Sequence, residues 1–226
     1  MRINIDFQQR VMLQTRAQPW VDSPAKGVQR RMLDRDGAEQ GRATSLVRFA
    51  SDSYFPEHSH PGGEEYLVLE GTFSDDGGDC NTGTYVRNPV GSAHTPFTRD
   101  GCVIFVKLCQ MDAADQKFVR IDTTQEAGWR PGPVGGLSVR SLHEFGGEKV
   151  ALVRWQPGAR YDLHEHVAGG EILVLDGTLA DEHGTYPAGT WLRMPPGSQH
   201  APFSESGCTI YIKTGHLGGA GGEVDR

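Results

Sequence analysis

The sequence predicts an all-β protein made of two tandem domains that arose by internal duplication. Three observations support this fold class. The 30 glycines among the 226 residues separate short apolar runs that are rich in Val, Ile, Leu, Tyr and Phe. Turn signals recur about every 8–12 residues, as they do in sandwiches and barrels. The first half of the chain is also nearly repeated in the second half, and repeats at this scale decide an architecture.

The repeat is visible in continuous matches at a constant spacing of 106 residues. SLVRFASDSYFPEHSH matches ALVRWQPGARYDLHEH, GTYVRNPVGSAHTPF matches GTWLRMPPGSQHAPF, and GCVIFVK matches GCTIYIK. Upstream of these matches the spacing becomes 109, and at this spacing Trp20 aligns with Trp129. A chain of this length suits two domains of about 100 residues each. We therefore predict a first domain over residues 1–112 and a second over 113–226.

Composition excludes several classes of protein. The net charge of −7 and the pI near 5.7 argue against a nucleic-acid surface. No apolar stretch approaches the roughly 20 residues that cross a bilayer, and the N-terminus lacks the apolar core of a signal peptide. A cytoplasmic location with no membrane partner is expected. The four cysteines include no CxxC pair, which disfavours a zinc ribbon.

Histidines and glutamates recur in both copies and predict metal sites. In a strand, residues i and i+2 share a face, so each His-x-His presents two imidazoles together. A glutamate past a Gly-rich turn and a third histidine after a Pro-x-Gly turn can join them. Such ligands suit a divalent first-row metal. The predicted ligands are His58, His60, Glu64 or Glu65, and His94 in the first copy, and His164, His166, Glu171 and His200 in the second.

Two adjacent acids in the first copy leave the carboxylate ligand open. Glu64 pairs in the repeat with Gly170, whereas Glu65 pairs with Glu171. Face parity places Glu65 on the side of Leu67, while Glu64 shares its side with a residue expected to face solvent. Both arguments favour Glu65, although a bulge at the double glycine would reverse the parity.

These motifs resemble the cupin family. The first cupin motif is similar to His58-x-His60 followed by an acid and a strand that ends at Gly71, and the second, PxGxxH, is similar to the runs that end at His94 and His200. The resemblance implies two tandem jelly-roll β-barrels with a metal inside each mouth. Counted back from Gly71, the family pattern favours Glu64. Zinc is the most expected metal, with iron, manganese and nickel as alternatives.

Within the cupins, the run GGEEYLVLEGTFSD looks most like the C-terminal domain of ChrR-type anti-sigma factors. The zinc-domain signature of those proteins, His-x3-Cys-x2-Cys, is missing from this sequence, so the anti-sigma function is not carried over. Two hypotheses follow from the resemblance. One is a ChrR-like sensor or regulatory protein that meets a small-molecule ligand or an oxidant in the barrel mouth. The other is a non-haem metal-dependent dioxygenase acting on a small diketone or hydroxyaryl ketone. A homodimer is expected in either case.

Overall fold

The computed structural model describes residues 1–39 and 41–218, and the regular secondary structure of these residues is almost entirely β-strand. One 3-10 turn, Thr15–Ala17, interrupts them. Among the described residues, no helix has the length and apolar character needed to cross a membrane.

The strands are numbered in chain order. Those of the first half are β1 (Arg2–Ile3), β2 (Val11–Gln14), β3 (Val21–Asp22), β4 (Val28–Asp36), β5 (Arg42–Phe49), β6 (Ser53–Tyr54), β7 (His58–Ser59), β8 (Glu64–Asp75), β9 (Gly78–Asn81), β10 (Thr84–Asn88), β11 (Ala93–His94), β12 (Phe97–Thr98) and β13 (Cys102–Leu108). Those of the second half are β14 (Val119–Asp122), β15 (Arg130–Pro131), β16 (Leu137–Phe145), β17 (Glu148–Trp155), β18 (Ala159–Arg160), β19 (His164–His166), β20 (Gly170–Asp181), β21 (Gly184–Pro187), β22 (Thr190–Met194), β23 (Ser198–His200), β24 (Phe203–Ser204) and β25 (Cys208–Thr214).

The strands form two units of matching topology. The large sheet of the first unit runs β1-β4-β5-β13-β8-β10-β14, and that of the second runs β15-β16-β17-β25-β20-β22-β2. Short antiparallel pairs complete each unit, including β7 with β11 and β19 with β23. The hydrogen-bonded sheets stay open instead of closing into continuous barrels, so each unit is jelly-roll-like. This confirms the predicted all-β fold with two repeated cupin-like domains.

A bend in the longest strand connects the two parts of each unit. Strand β8 pairs with β13 and β10 along its first half and with β9 and β12 beyond Gly71. Gly71 has a φ of 73°, and a Cβ placed there would lie 2.1 Å from the carbonyl oxygen of Gly101. Only glycine fits this position. Gly177 occupies the same place in β20, with a φ of 70°.

The apolar core of the first unit lies on the face of β8 that carries Tyr66 and Val68, against Ile104 and Val106 of β13. Glu64 shares this face and stands where the core meets a cavity. The opposite face of β8 is also buried. The face-parity argument for Glu65 assumed that one side of this strand faces solvent. Because both faces of β8 are buried at Glu64 and Glu65, that argument does not distinguish the two acids.

The compact units do not follow the predicted division between residues 112 and 113. The first unit comprises residues 1–5 and 18–126, and the second comprises 6–17 and 127–218 of the described chain. The reason is an exchange of edge strands. Strand β14, which begins the second repeat, pairs with β10 in the first unit. Strand β2, its counterpart in the first repeat, pairs with β22 in the second unit.

Candidate metal centre

The first cluster gathers four predicted ligands at one end of the core of the first unit. His58 of β7 lies directly opposite His94 of β11, and His60 follows at the end of β7. Glu64 is the first residue of β8. One ligand atom from each of these four residues lies within 4.8 Å of those of the others. This spacing allows them to contact a single ion.

Hydrogen bonds at Nδ1 orient two of the imidazoles. His58 Nδ1 donates to the carbonyl oxygen of Pro56 at 3.0 Å, and His94 Nδ1 donates to Asp75 Oδ2 at 3.1 Å. The proton therefore stays on Nδ1, and the lone pair of Nε2 is available to a metal. A carboxylate behind a histidine is the usual support of a metal-ligating imidazole.

Two buried nitrogens at the centre of this cluster show that it fits a cation. His60 Nε2 and His94 Nε2 are buried and make no hydrogen bond. They lie 3.5 and 3.6 Å from Glu64 Oε2, and Asn88 Nδ2 also donates to that oxygen at 2.9 Å. Unpaired buried polar atoms are rare because they cost free energy. Three imidazoles and a carboxylate converging on one point are the donor set of a divalent transition metal.

The surroundings also set the protonation of the ligands. Burial lowers the pKa of His60, and the neighbouring imidazoles lower it further against the pull of Glu64. Burial opposes charging His94 as well, but its hydrogen bond to Asp75 and the charge of Glu64 hold its pKa above the usual value. The same hydrogen bond lowers the pKa of Asp75. A neutral His60 beside the Glu64 carboxylate favours cation binding.

Glu65, the acid that the sequence favoured as the ligand, does not lie among the histidines, because its side chain points away from them. Glu65 Oε2 accepts hydrogen bonds from Tyr85 Oη at 2.8 Å and from Arg87 Nη1 at 2.9 Å. Arg87 also pairs with Asp115 at 2.7 Å. Glu65 thus belongs to a buried ion-pair network, and Glu64 is the carboxylate that reaches the histidines.

The second cluster contains three histidines. His164 of β19 lies opposite His200 of β23, and His166 Nε2 is 3.0 Å from His200 Nε2. His200 Nδ1 donates to Asp181 Oδ2 at 3.1 Å, while His164 Nδ1 donates to the carbonyl oxygen of Asp162 at 3.0 Å. Burial, with help from the other two imidazoles, lowers the pKa of His166 to about 3. Hydrogen bonds at Nδ1 thus orient His164 and His200 as they orient His58 and His94 in the first cluster.

The carboxylate of the first cluster has no counterpart in the second. Gly170 occupies the position of Glu64, and a Cβ placed there would lie 3.2 Å from His166 Nδ1. Glu171, which the sequence predicted as a ligand, does not lie among the three histidines either. Glu171 Oε1 lies 3.2 Å from His216 Nε2 on the other face of β20. The two sites differ in charge although their histidines match.

Charged neighbours increase this difference. Arg10 Nη2 lies 2.9 Å from Asp181 Oδ2 and 2.8 Å from Tyr186 Oη. Hydrogen bonds from His200, Tyr186 and Arg10 keep the pKa of Asp181 well below its usual value even though burial raises it. In the first unit, Cys80 occupies the position of Tyr186. The supporting carboxylate of the second site therefore accepts a hydrogen bond from an arginine, whereas Arg120 lowers the pKa of Asp75 in the first site through its charge.

A cavity of about 240 Å³ opens beside the first cluster. We call it the inner cavity. His58, His60, Glu64 and His94 form part of its wall, and most of the remaining wall is apolar. The apolar part includes Val47, Phe49, Phe55, Phe73, Ile104 and Val106. A metal held by the cluster would face a space that admits a small molecule and is lined mostly by apolar side chains.

The supporting acids, Asp75 and Asp181, were not predicted as site residues. They recur at the same spacing as the histidines, and that repetition was the signal that could have identified them. Their position at the end of a long strand, next to a hairpin turn, is typical of solvated acids. The bend at Gly71 brings Asp75 back to His94, and this bend is not visible in the local sequence.

Two repeated jelly-roll-like units, each with a histidine cluster on the HxH and PxGxxH motifs, define a two-domain cupin. The chain belongs to the family described as the ChrR cupin-like domain, which it matches over residues 8–112 and again over 117–218. This confirms the resemblance seen in the motifs. No curated protein matches the chain.

Solved structures with the same fold include a proposed dioxygenase from Nostoc punctiforme, with 15% identity and a TM-score of 0.78, covering 93% of this chain and 84% of that one. Another is YlbA from Escherichia coli, with 18% identity and a TM-score of 0.71, covering 95% and 94%. A third is the pirin YhhW from Escherichia coli in complex with nickel(II), with 12% identity and a TM-score of 0.65, covering 91% and 98%. At these identities the likeness concerns the fold.

Proposed function

We propose that this chain is a metal-dependent cupin enzyme of the dioxygenase type, with its reaction centre at the first cluster. The observation that supports this most is the position of the unpaired Nε2 atoms of His60 and His94, beside Glu64 in the wall of the inner cavity. The bound metal would supply a Lewis acid and a redox centre. Iron, manganese or nickel would allow this chemistry, whereas zinc would not supply the redox step.

Each part of the site has a separate task in this proposal. Asp75 and the carbonyl oxygen of Pro56 hold the protons of His94 and His58 on Nδ1. Asn88 fixes the Glu64 carboxylate. The apolar walls exclude water and strengthen electrostatic interactions inside. A small diketone or hydroxyaryl ketone is the substrate class that we propose.

The second cluster has a structural or supporting role in this proposal. Three histidines without a carboxylate can still hold zinc. Two features argue against a second reaction centre at this cluster. It lacks the acidic ligand, and Arg10 lies beside Asp181. The two sites are therefore expected to hold their metals with different affinities.

A matched pair of variants tests the assignment. His94→Ala and His200→Ala remove equivalent ligands from the two clusters. After anaerobic loading with Fe(II), Mn(II) or Ni(II), oxygen uptake is measured with a panel of diketones and hydroxyaryl ketones, each with and without a carboxylate group. We expect uptake by the wild type and by His200→Ala, and its loss in His94→Ala. Absence of uptake with all three metals, in protein whose first site is loaded, would refute the enzyme.

A ChrR-like sensor or regulatory protein is the second candidate, and the family match favours it. A sensor of this kind binds zinc at both clusters and responds to a ligand or oxidant in the inner cavity without turnover. About two zinc ions per chain after purification under low oxygen, together with no oxygen uptake, would favour it. The proposal includes the homodimer and the cytoplasmic location that are expected from the sequence.

A further inference from the structure

The inner cavity has a charged side formed by two arginines of β4. Arg30 and Arg35 line the same cavity as the histidine cluster. The side chain of Arg35 is only 5% exposed and that of Arg30 only 17%. A guanidinium does not lose its proton in a protein, so this side of the cavity keeps its positive charge at every relevant pH.

Both arginines are held in place, and one acid of the chain partly neutralises them. Arg30 Nη2 donates to Ser23 Oγ at 2.8 Å, and Arg35 Nη2 donates to the carbonyl oxygen of Ala38 at 2.8 Å. Glu39 lies 2.8 Å from Arg30 Nη1 and 3.7 Å from Arg35 Nη2. Its side chain is 58% exposed, so water can replace its contacts at low cost. One carboxylate facing two guanidinium groups leaves a net charge of about +1 at this side of the cavity.

The second repeat shows that the fold does not require these arginines. Strand registers place Val139 opposite Val153 where Arg30 lies opposite Val47. They also place Glu144 opposite Lys149 where Arg35 lies opposite Ala43. The arginines therefore occur only in the unit that has the complete four-ligand cluster and the inner cavity. Two buried charges that the same topology can omit call for a functional explanation.

We propose that the small ketone substrate of the first site also carries a carboxylate on an apolar body. Its carboxylate binds Arg30 and Arg35 in the place that Glu39 takes in the free protein. Its body lies along the apolar wall, and its reacting end faces the histidine cluster. Arginine forks match a carboxylate in bidentate geometry. A volume of about 240 Å³ lies below the roughly 300–1,000 Å³ of drug-sized sites and limits the ligand to a compact acid. This inference rests on the proposed function for the reacting end, but the arginine end can be tested without metal.

The test compares acids with their neutral amides on the full, metal-free chain, because a metal would itself attract a carboxylate. Isothermal titration measures binding of butyrate, benzoate and phenylacetate, each beside the corresponding amide. We expect at least one acid to bind about tenfold or more tightly than its amide, which is the size of a charge-assisted hydrogen bond. Arg35→Gln should remove this preference. Glu39→Gln should strengthen acid binding by about tenfold, because it removes the internal competitor.

Arg2→Gln serves as the control, since Arg2 is an exposed arginine of the same unit that pairs with Asp36 at 3.3 Å and does not line the inner cavity. It should leave binding of acids unchanged. If Arg35→Gln does not fold, Glu39→Gln still tests the inference. Equal binding of each acid and its amide, in both the wild type and Glu39→Gln, would overturn it.

Metal loading and oxygen uptake separate this inference from the proposed function. If the chain binds acids through Arg35 but takes up no oxygen when loaded with metal, the proposed enzyme function is refuted and the carboxylate site is supported. A loaded chain that oxidises a neutral ketone and shows no preference for acids refutes the carboxylate site alone.

Discussion

Removing the charge of each of the two adjacent glutamates of β8 should have different effects, on metal affinity for Glu64 and on stability for Glu65. Glu64→Gln removes the carboxylate that lies beside the Nε2 atoms of the first cluster, with Oε2 at 3.5 Å from His60 Nε2. Loss of a supporting residue behind a ligand already costs about 10–100-fold in metal affinity, so loss of an anionic ligand should cost more than about 100-fold at this site. Folding of the metal-free chain should change by no more than about 1 kcal/mol, since glutamine can still accept a hydrogen bond from Asn88.

Glu65→Gln should instead destabilise the fold and leave the metal in place. The Glu65 carboxylate and the Arg87 guanidinium are at most 2% exposed and 2.9 Å apart. Removing one partner of a buried ion pair costs about 3–5 kcal/mol, and the low end applies because Arg87 keeps Asp115. For a chain of this size, about 3 kcal/mol corresponds to a fall of roughly 6–12 °C in the melting temperature.

The assay combines metal analysis per chain with thermal unfolding of the chelator-treated protein, for both variants and the wild type. Each variant is the control for the other, because they remove the same charge one residue apart. The reasoning is refuted if Glu65→Gln loses metal at unchanged metal-free stability while Glu64→Gln keeps full occupancy.

Three further outcomes are expected. The double variant His58→Ala/His164→Ala should lose metal and melt at a lower temperature than the loaded wild type, because metal binding adds to folding free energy; an unchanged melting temperature and metal content would end the metal hypothesis. Asp75→Asn should lower metal affinity at the first cluster by about 10–100-fold with little change in fold, as measured by competition with a chelating dye, and unchanged affinity would exclude its supporting role. Gly170→Ala should weaken the second site, because its Cβ would lie 3.2 Å from a histidine ligand, whereas Gly184→Ala, whose nearest contact is 3.5 Å, should not; equal loss in the two would contradict this reading.

Repetition predicted the large features of this molecule. Comparison of the two copies indicated two domains of one fold and all six histidines of the clusters. The same comparison pointed to a different carboxylate from the one that lies beside the histidines. Glu65 and Glu171 recur in both copies as buried acids of ion pairs, whereas Glu64 aligns with Gly170 in the second copy. Face parity failed there because both sides of β8 are buried: Tyr66 is 1% exposed and Leu67 only 2%.

Other features depend on contacts that no local pattern encodes. The turn-like setting of Asp75 hid its contact with His94, which requires the bend of β8. Arg30 and Arg35 are five residues apart, so strict alternation would place them on opposite faces of β4. The register shift between Met32 and Asp34 is what allows both to line the inner cavity. The partners of β2 and β14 lie in the other half of the chain, so the domain boundary drawn from the repeat missed them.

The exchange of β2 and β14 has a consequence for the order of synthesis. When the first repeat has been translated, β10 still has a bare edge, because β14 is not yet made. Strand β2 is made almost first, yet it must wait for β22, which is made near the end. Unpaired edges are sites of aggregation, and pairings so distant along the chain form slowly.

Between these two events the nascent chain is prone to aggregation through its unpaired edges. A ribosome that stalls after the first repeat would leave one open sheet edge and one unpaired strand together on the nascent chain. Each domain therefore completes its sheet only after a strand of the other repeat has been made. A gene truncated between the repeats should yield a protein that depends on chaperones.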